Sequence, residues 1–124
     1  MNLPRLNAVI FCTKAVYTEP WWHLVGEFDD FLVDDPENAH FDVFVKFGDM
    51  SFDRDSEMEL RIIDPLTGDP MERFPAIIRG DKEGVATRVI PVAMAFSREA
   101  VYHVEVVVDG QLVGLRKLPV WFQG

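Results

Sequence analysis

The sequence predicts an all-β protein, an antiparallel β-sandwich of seven to eight strands with immunoglobulin-like or C2-like architecture. Three observations support this fold class: apolar residues recur at every second position, turn residues follow about every 10–15 residues, and no segment has helical periodicity. A small open barrel is the alternative arrangement of the same strands. The chain of 124 residues has the length of one domain, so we assign residues 1–124 to a single sandwich.

The most clearly patterned segment is 100–122. Its first half alternates apolar and polar residues, which is the period of a strand with one face in a core. Asp109-Gly110 follows, and this dipeptide accepts the positive φ angles of a two-residue type I′ turn. The segment therefore predicts a hairpin, and a regular two-residue turn would place Val106 opposite Val113.

Alternation and turn residues define the remaining strands. The predicted strands are 6–18, 24–33 with a β-bulge at Asp29-Asp30, 41–47, 56–64, a short strand within 74–79, and 85–96. Pro91 and Pro119 lack an amide donor, which favours a sheet edge or a bulge at both positions. We expect antiparallel pairing throughout, because successive strands are joined by hairpin-like connections.

Composition limits the partners and the compartment. The formal charge of −9 disfavours nucleic acid and anionic membrane surfaces, since both would repel the chain. Cys12 is the single cysteine, which excludes an intramolecular disulfide, and its apolar strand indicates an inert core residue. The apolar stretch near the start is too short for a signal peptide or a membrane span. These features predict a cytoplasmic protein.

Four segments resemble a family of short bacterial all-β proteins of uncharacterised function. They are Leu6-Asn7-Ala8-Val9-Ile10-Phe11-Cys12, Leu24-Val25-Gly26-Glu27-Phe28-Asp29, Leu60-Arg61-Ile62-Ile63-Asp64-Pro65 and Val108-Asp109-Gly110. The resemblance covers most of the chain and consists of strand and turn patterns. It implies a bacterial source and a sandwich-like fold, and it implies no activity.

Four aromatic residues are the candidate contact surface. Trp21 and Trp22 are adjacent at the entrance of a strand, where one indole is expected to cap the core and the other to lie on the surface. Phe44 and Trp121 occupy outward positions of their strands, and Phe44 could equally lie beneath a loop. Outward aromatic residues favour a binding or assembly module whose partner is another protein or a second copy.

Acidic loop residues give an alternative function. Asp49, Asp53 and Asp55 lie close together in one turn, and carboxylates from the loops of a β-sandwich can supply the oxygens that calcium requires. Ordinary solvated turns explain the same residues, and their spacing does not match an EF-hand loop. The alternative prediction is therefore a calcium-responsive domain with calcium as its cofactor.

Catalytic motifs are absent from the sequence. His23, His40 and His103 are isolated from one another, and neither a HExxH motif nor a GxSxG motif occurs. We therefore predict a protein that is not an enzyme and assign no catalytic residue, with a small hydrolase ranked below the binding module and the calcium-responsive domain.

Overall fold

The computed structural model describes residues 3–124, which form nine strands and one short 3-10 turn at Pro36–Asn38. The strands are β1 (Arg5–Thr18), β2 (Trp21–Phe28), β3 (Phe31–Val33), β4 (Ala39–Gly48), β5 (Ser56–Ile63), β6 (Pro70–Ile78), β7 (Ala86–Met94), β8 (Ala100–Val108) and β9 (Gln111–Phe122).

The nine strands form two sheets that pack face to face. Sheet A has the order β2-β1-β4-β7, and sheet B, which is curled like half of a barrel, has the order β3-β9-β8-β5-β6. This arrangement confirms the all-β sandwich. Within residues 3–124 no helix has the length and hydrophobicity that crossing a bilayer requires.

Two strands differ from the sequence-based prediction. The predicted strand 24–33 is two strands, because the chain leaves sheet A after Phe28 and enters sheet B at Phe31. The expected bulge at Asp29-Asp30 is therefore a crossing between the sheets. The short strand expected within 74–79 is the nine-residue strand β6, which raises the strand count from seven or eight to nine.

The pairing of β3 also corrects a prediction. β3 runs parallel to β9, whereas antiparallel pairing was expected throughout. Pro119 was expected at a sheet edge or a bulge; β9 as a whole lies between β3 and β8, but at Pro119 it pairs only with β8, opposite Val101. Pairing with the three-residue β3 begins only at Val120, so the missing amide of Pro119 leaves no gap in that ladder.

Aromatic rings join the two sheets in the core. Phe41 is 2% exposed, and its ring centroid lies 6.1 Å from that of Phe11, 5.9 Å from that of Phe28 and 4.9 Å from that of Phe31. Phe31 belongs to sheet B and the other three rings to sheet A. The alternating positions of β4, β5, β7 and β8 that were predicted to point inward are buried in the same core.

The predicted Asp-Gly hairpin between β8 and β9 is present. Asp109 has φ 48° and Gly110 has φ 81°, which are left-handed values suited to a type I′ turn. The strand register shifts between Val106 and Val107, so Val106 lies opposite Gly114 instead of Val113. Gly114 is suited to this position, because a Cβ there would lie 2.5 Å from Leu6 Cδ2.

The four sheet edges differ in how they are protected against further pairing. Pro75 in edge strand β6 and Pro91 in edge strand β7 each remove an amide donor, which blocks pairing with another strand. Edge strand β3 has only three residues. β2 is eight residues long and contains no proline. Within residues 3–124, it is the edge strand best able to pair further.

Candidate protein-binding surface

The hairpin of β1 and β2 extends beyond the sandwich. β1 pairs with β4 only as far as Cys12 opposite Asp42, whereas its pairing with β2 continues to Thr18 opposite Trp21. Residues 13–26 therefore form a two-stranded projection, which we call the arm. β1 is extended over its whole length because β2 supplies its hydrogen-bond partners where β4 has ended.

Gly26 redirects the arm. In a regular strand Phe28 and Trp22 would share a face, yet Phe28 packs against the core and Trp22 contacts Phe44 on the outer face of sheet A. Gly26 lies between them with φ 68°, a left-handed value that interrupts the alternation of the strand. The arm consequently bends over the outer face of sheet A.

Replacing Gly26 with alanine should destabilise the protein. A Cβ at Gly26 would lie 2.5 Å from Thr13 Oγ1, and the positive φ alone costs an L-residue about 1–2 kcal/mol. We expect Gly26→Ala to lower the free energy of unfolding by about 2–3 kcal/mol in urea denaturation. Gly68 is the matched control, since it has φ 76° but no heavy atom within 4 Å of the point that a Cβ would occupy.

The control separates the two causes. Gly68→Ala should lower the free energy of unfolding only by the cost of the positive φ. The double variant Thr13→Ala with Gly26→Ala should be more stable than Gly26→Ala alone, because the contact with Thr13 is removed. Equal losses at Gly26 and Gly68 would show that contact with Thr13 has no energetic effect.

Two contacts hold the arm against sheet A, Trp22 with Phe44 and Ala15 with Asp42, and a third, Tyr17 with Trp22, lies within the arm. The ring centroid of Trp22 lies 5.8 Å from that of Phe44 and 5.2 Å from that of Tyr17, both edge to face. The amide of Ala15 donates a hydrogen bond of 2.8 Å to the carboxylate of Asp42. These contacts orient the arm relative to the sandwich.

Cys12 lies at this junction. It is fully buried, and its Sγ is 3.8 Å from the carbonyl oxygen of Asp42. Burial, followed by the nearby charges of Asp42 and Glu27, raises the pKa of the thiol. A buried thiol that stays protonated is a poor nucleophile, which agrees with the prediction of an inert residue.

Large apolar side chains are exposed on both faces of the arm. Five of the fourteen large apolar side chains that are exposed in residues 3–124 lie within 16–25, and they are Val16, Tyr17, Trp21, Trp22 and Val25. Trp21 is 68% exposed and Val25 is 58% exposed. Such a concentration on one projecting element is typical of an interaction surface.

The structure separates the four predicted contact residues into three places. Trp21 is exposed on the arm, and Trp22 covers Phe44, which is only 9% exposed. Phe44 thus lies beneath the arm, and Trp22 caps Phe44 outside the main core. Trp121 lies in sheet B, where it pairs in register with Leu32 of β3. Of the four, only Trp22 and Phe44 are in contact, because Trp21 lies on the opposite face of the arm and Trp121 lies in the other sheet.

Sequence reasoning missed Val16, Tyr17 and Val25 as members of this surface. The signal was present in the sequence, because Glu19-Pro20 makes a two-residue turn that places Tyr17 opposite Trp22. The sequence analysis placed a strand at 6–18 but did not pair it with the next strand across this turn.

The predicted calcium ligands do not form a common site. Asp55 forms an ion pair of 2.9 Å with Arg79, and Asp49 lies 4.0 Å from Arg5. No group of three or more His, Cys, Asp or Glu side chains in residues 3–124 is arranged to hold a metal ion. Asp29, another loop carboxylate, accepts a hydrogen bond from the guanidinium of Arg116. The histidines of β2, β4 and β8 are likewise not part of such a group.

A groove of about 460 Å³ lies against β5 and β6. Its lining includes Glu59, Arg61 and Ile77, and contains no serine, cysteine, histidine or lysine. A hydrogen bond from the guanidinium of Arg61 is the largest of the effects that lower the pKa of the Glu59 carboxyl. Glu59 is therefore held in its charged form and is unsuited to donate a proton as a general acid.

Comparison with family models and with curated proteins found no match for this chain.

Proposed function

We propose that the chain is a non-catalytic binding or assembly module of a bacterial cytoplasm, and that the arm is its contact surface for protein. The observation that carries this proposal is the cluster of exposed apolar side chains on an element that projects from the sandwich. Exposed tryptophan and tyrosine are enriched at protein interfaces, because each offers a large, stiff contact area.

The exposed edge of β2 supports the same function. An extended segment of a partner can add to a free sheet edge through main-chain hydrogen bonds, while side chains on the edge strand select the partner. β2 ends sheet A without a proline, and Trp21 and Val25 stand beside its free backbone. The arm thus combines apolar contact area with a free backbone edge.

Charge supports a protein partner for the arm. The arm contains one basic residue, Lys14, and one carboxylate, Glu19, for a formal charge of 0 against −9 for the whole chain. Residues 27–124 together carry −10. Covering charged groups with a partner removes them from water, which costs free energy. A protein that binds the arm covers few charged groups, so this cost is smaller at the arm than on the acidic remainder of the chain.

Affinity capture with arm variants tests the proposal. We expect the tagged wild-type chain to retain a stoichiometric protein partner, either another protein of its host or an untagged copy of itself. The double variant Trp21→Ser and Val25→Ser should lose that partner, because it removes the two most exposed apolar side chains of β2 and leaves the core unchanged.

A matched control uses sheet B. Leu112 and Trp121 are about half exposed and lie outside the arm, so Leu112→Ser combined with Trp121→Ser removes a similar apolar area elsewhere. The control should keep the partner. A partner that is retained by the arm variant but lost by the sheet B variant would refute the arm as the contact surface.

A further inference from the structure

We propose that the arm binds a second copy of this chain, through antiparallel pairing of β2 with β2 about a two-fold axis at His23. This inference rests on the proposed function and names its partner. The paired arms would join sheet A of one copy to sheet A of the other in a continuous eight-stranded sheet.

The usable edge of β2 is five residues long. Pro20 precedes it, and at its other end the left-handed backbone of Gly26, with φ 68°, interrupts the extended conformation. Residues 21–25 lie between these two points and have His23 at their centre. A two-fold axis pairs each residue with the residue equally distant from the centre in the other copy, so His23 would lie opposite itself.

This register is self-complementary in its side chains. Trp21 would lie opposite Val25 of the second copy, and Trp22 opposite Leu24 of the second copy. Aromatic residues paired across strands with branched aliphatic residues are favourable combinations. Trp21, His23 and Val25 share one face of the arm, so each copy would place two exposed apolar side chains, one on either side of His23, beside those of the other copy.

Electrostatics favours a second copy at this position over self-association elsewhere. Residues 21–25 contain no carboxylate, and Lys14 is the one charged residue in the adjacent strand of the arm, residues 13–18. Two copies that met through residues 27–124 would bring together parts of the chain whose formal charge totals −10 in each copy. Like charges placed opposite each other oppose association. Electrostatic repulsion between two copies of this acidic chain is therefore smaller at the arm than at residues 27–124.

The short edge sets the expected affinity. Stable complexes bury about 1,200–2,000 Å² in total, and smaller interfaces are weak and transient. An interface made by pairing five residues of each β2 strand, together with the exposed tryptophans beside them, would bury an area at the lower end of this range. We therefore expect a dimer with a dissociation constant in the micromolar range, and mass must be measured across a concentration series.

Two measurements test the dimer. Sedimentation equilibrium should give a mass rising with concentration toward twice the 14.2 kDa of the chain. Trp21→Glu combined with Val25→Glu places two pairs of carboxylates opposite each other in the proposed register, and should weaken the dimer by at least about tenfold. Leu112→Glu, at an exposed position of sheet B, should leave the dissociation constant unchanged.

Disulfide trapping tests the register. The native Cys12 is fully buried, so a cysteine introduced at an exposed position is the reactive thiol. Residues directly opposite in a sheet have Cβ atoms about 4.5–5.5 Å apart, within reach of a disulfide after a small adjustment. Under mild oxidation His23→Cys should therefore form a covalent dimer at least about tenfold faster than Leu112→Cys.

The results that overturn this inference are distinct from those that overturn the proposed function. A wild-type chain that stays monomeric up to about 1 mM excludes a dimer of even millimolar affinity. A dimer in which His23→Cys is trapped no faster than Leu112→Cys excludes this register. Either result removes the second copy as the occupant of the arm, whereas the proposed function fails only if no partner depends on the arm.

Discussion

Phe41→Ala should cost about 3–5 kcal/mol of unfolding free energy, the largest loss that we expect from one substitution in this protein. The ring of Phe41 is almost fully buried and lies within 6.1 Å of three other phenylalanine rings, one of which belongs to the opposite sheet. Truncation would leave a cavity at the point where the two sheets meet, and the surrounding rings are too stiff to fill it.

The loss can be measured by urea denaturation followed through tryptophan fluorescence. Domains of this size are stable by about 5–15 kcal/mol, so Phe41→Ala could unfold much of the population. Phe41→Leu keeps part of the volume and should cost about 1–2 kcal/mol, which preserves a measurable transition.

Phe52→Ala is the control for Phe41→Ala, because the Phe52 side chain is 61% exposed and its loss should change stability by less than about 0.5 kcal/mol. A loss of less than about 1 kcal/mol for Phe41→Ala would show that the ring cluster does not hold the sheets together.

Arg116→Ala should cost about 2–4 kcal/mol, the second largest expected effect. The guanidinium of Arg116 donates a hydrogen bond of 2.6 Å to the carbonyl oxygen of Val9 and another to the carboxylate of Asp29. It also lies 4.6 Å from the centre of the Phe11 ring. Arg116 therefore ties β9 of sheet B to β1 of sheet A and to the crossing between β2 and β3.

Arg116→Lys distinguishes the geometry of the guanidinium from its charge. A lysine keeps the positive charge but cannot make two divergent hydrogen bonds from a flat group stacked on a ring. We expect Arg116→Lys to recover less than half of the loss, measured by the same denaturation experiment. Full recovery would show that the charge alone stabilises the crossing. Lys117→Ala, on the neighbouring exposed residue, should have little effect.

The fold class follows from features that a sequence displays locally. Strand β4 was predicted from Phe41, Val43, Val45 and Phe47, and all four are buried, because the two-residue period of an extended strand fixes which side chains share a face. The Asp109-Gly110 turn was predictable for a similar reason, since its positive φ angles depend on two adjacent residues.

The candidate site was only partly predictable from the sequence. Trp21 and Trp22 were visible as an adjacent aromatic pair, but their separate roles depend on Gly26, whose φ of 68° bends the arm over Phe44. Phe44 was predicted to point outward, and it does, yet the arm covers it. Trp121 was grouped with the other aromatic residues, although β9 lies in the opposite sheet.

Most of the strands, their inward faces and the acidic charge of the chain could be predicted from the amino-acid sequence, because each depends on residues near one another along the backbone. Tertiary structure alone decided that the chain crosses between sheets at Asp29-Asp30, where Arg116 binds Asp29 from 87 residues away. It also decided that β2 is left with a free edge. Strand order depends on contacts between distant segments, and the period of a single strand carries no information about its neighbours.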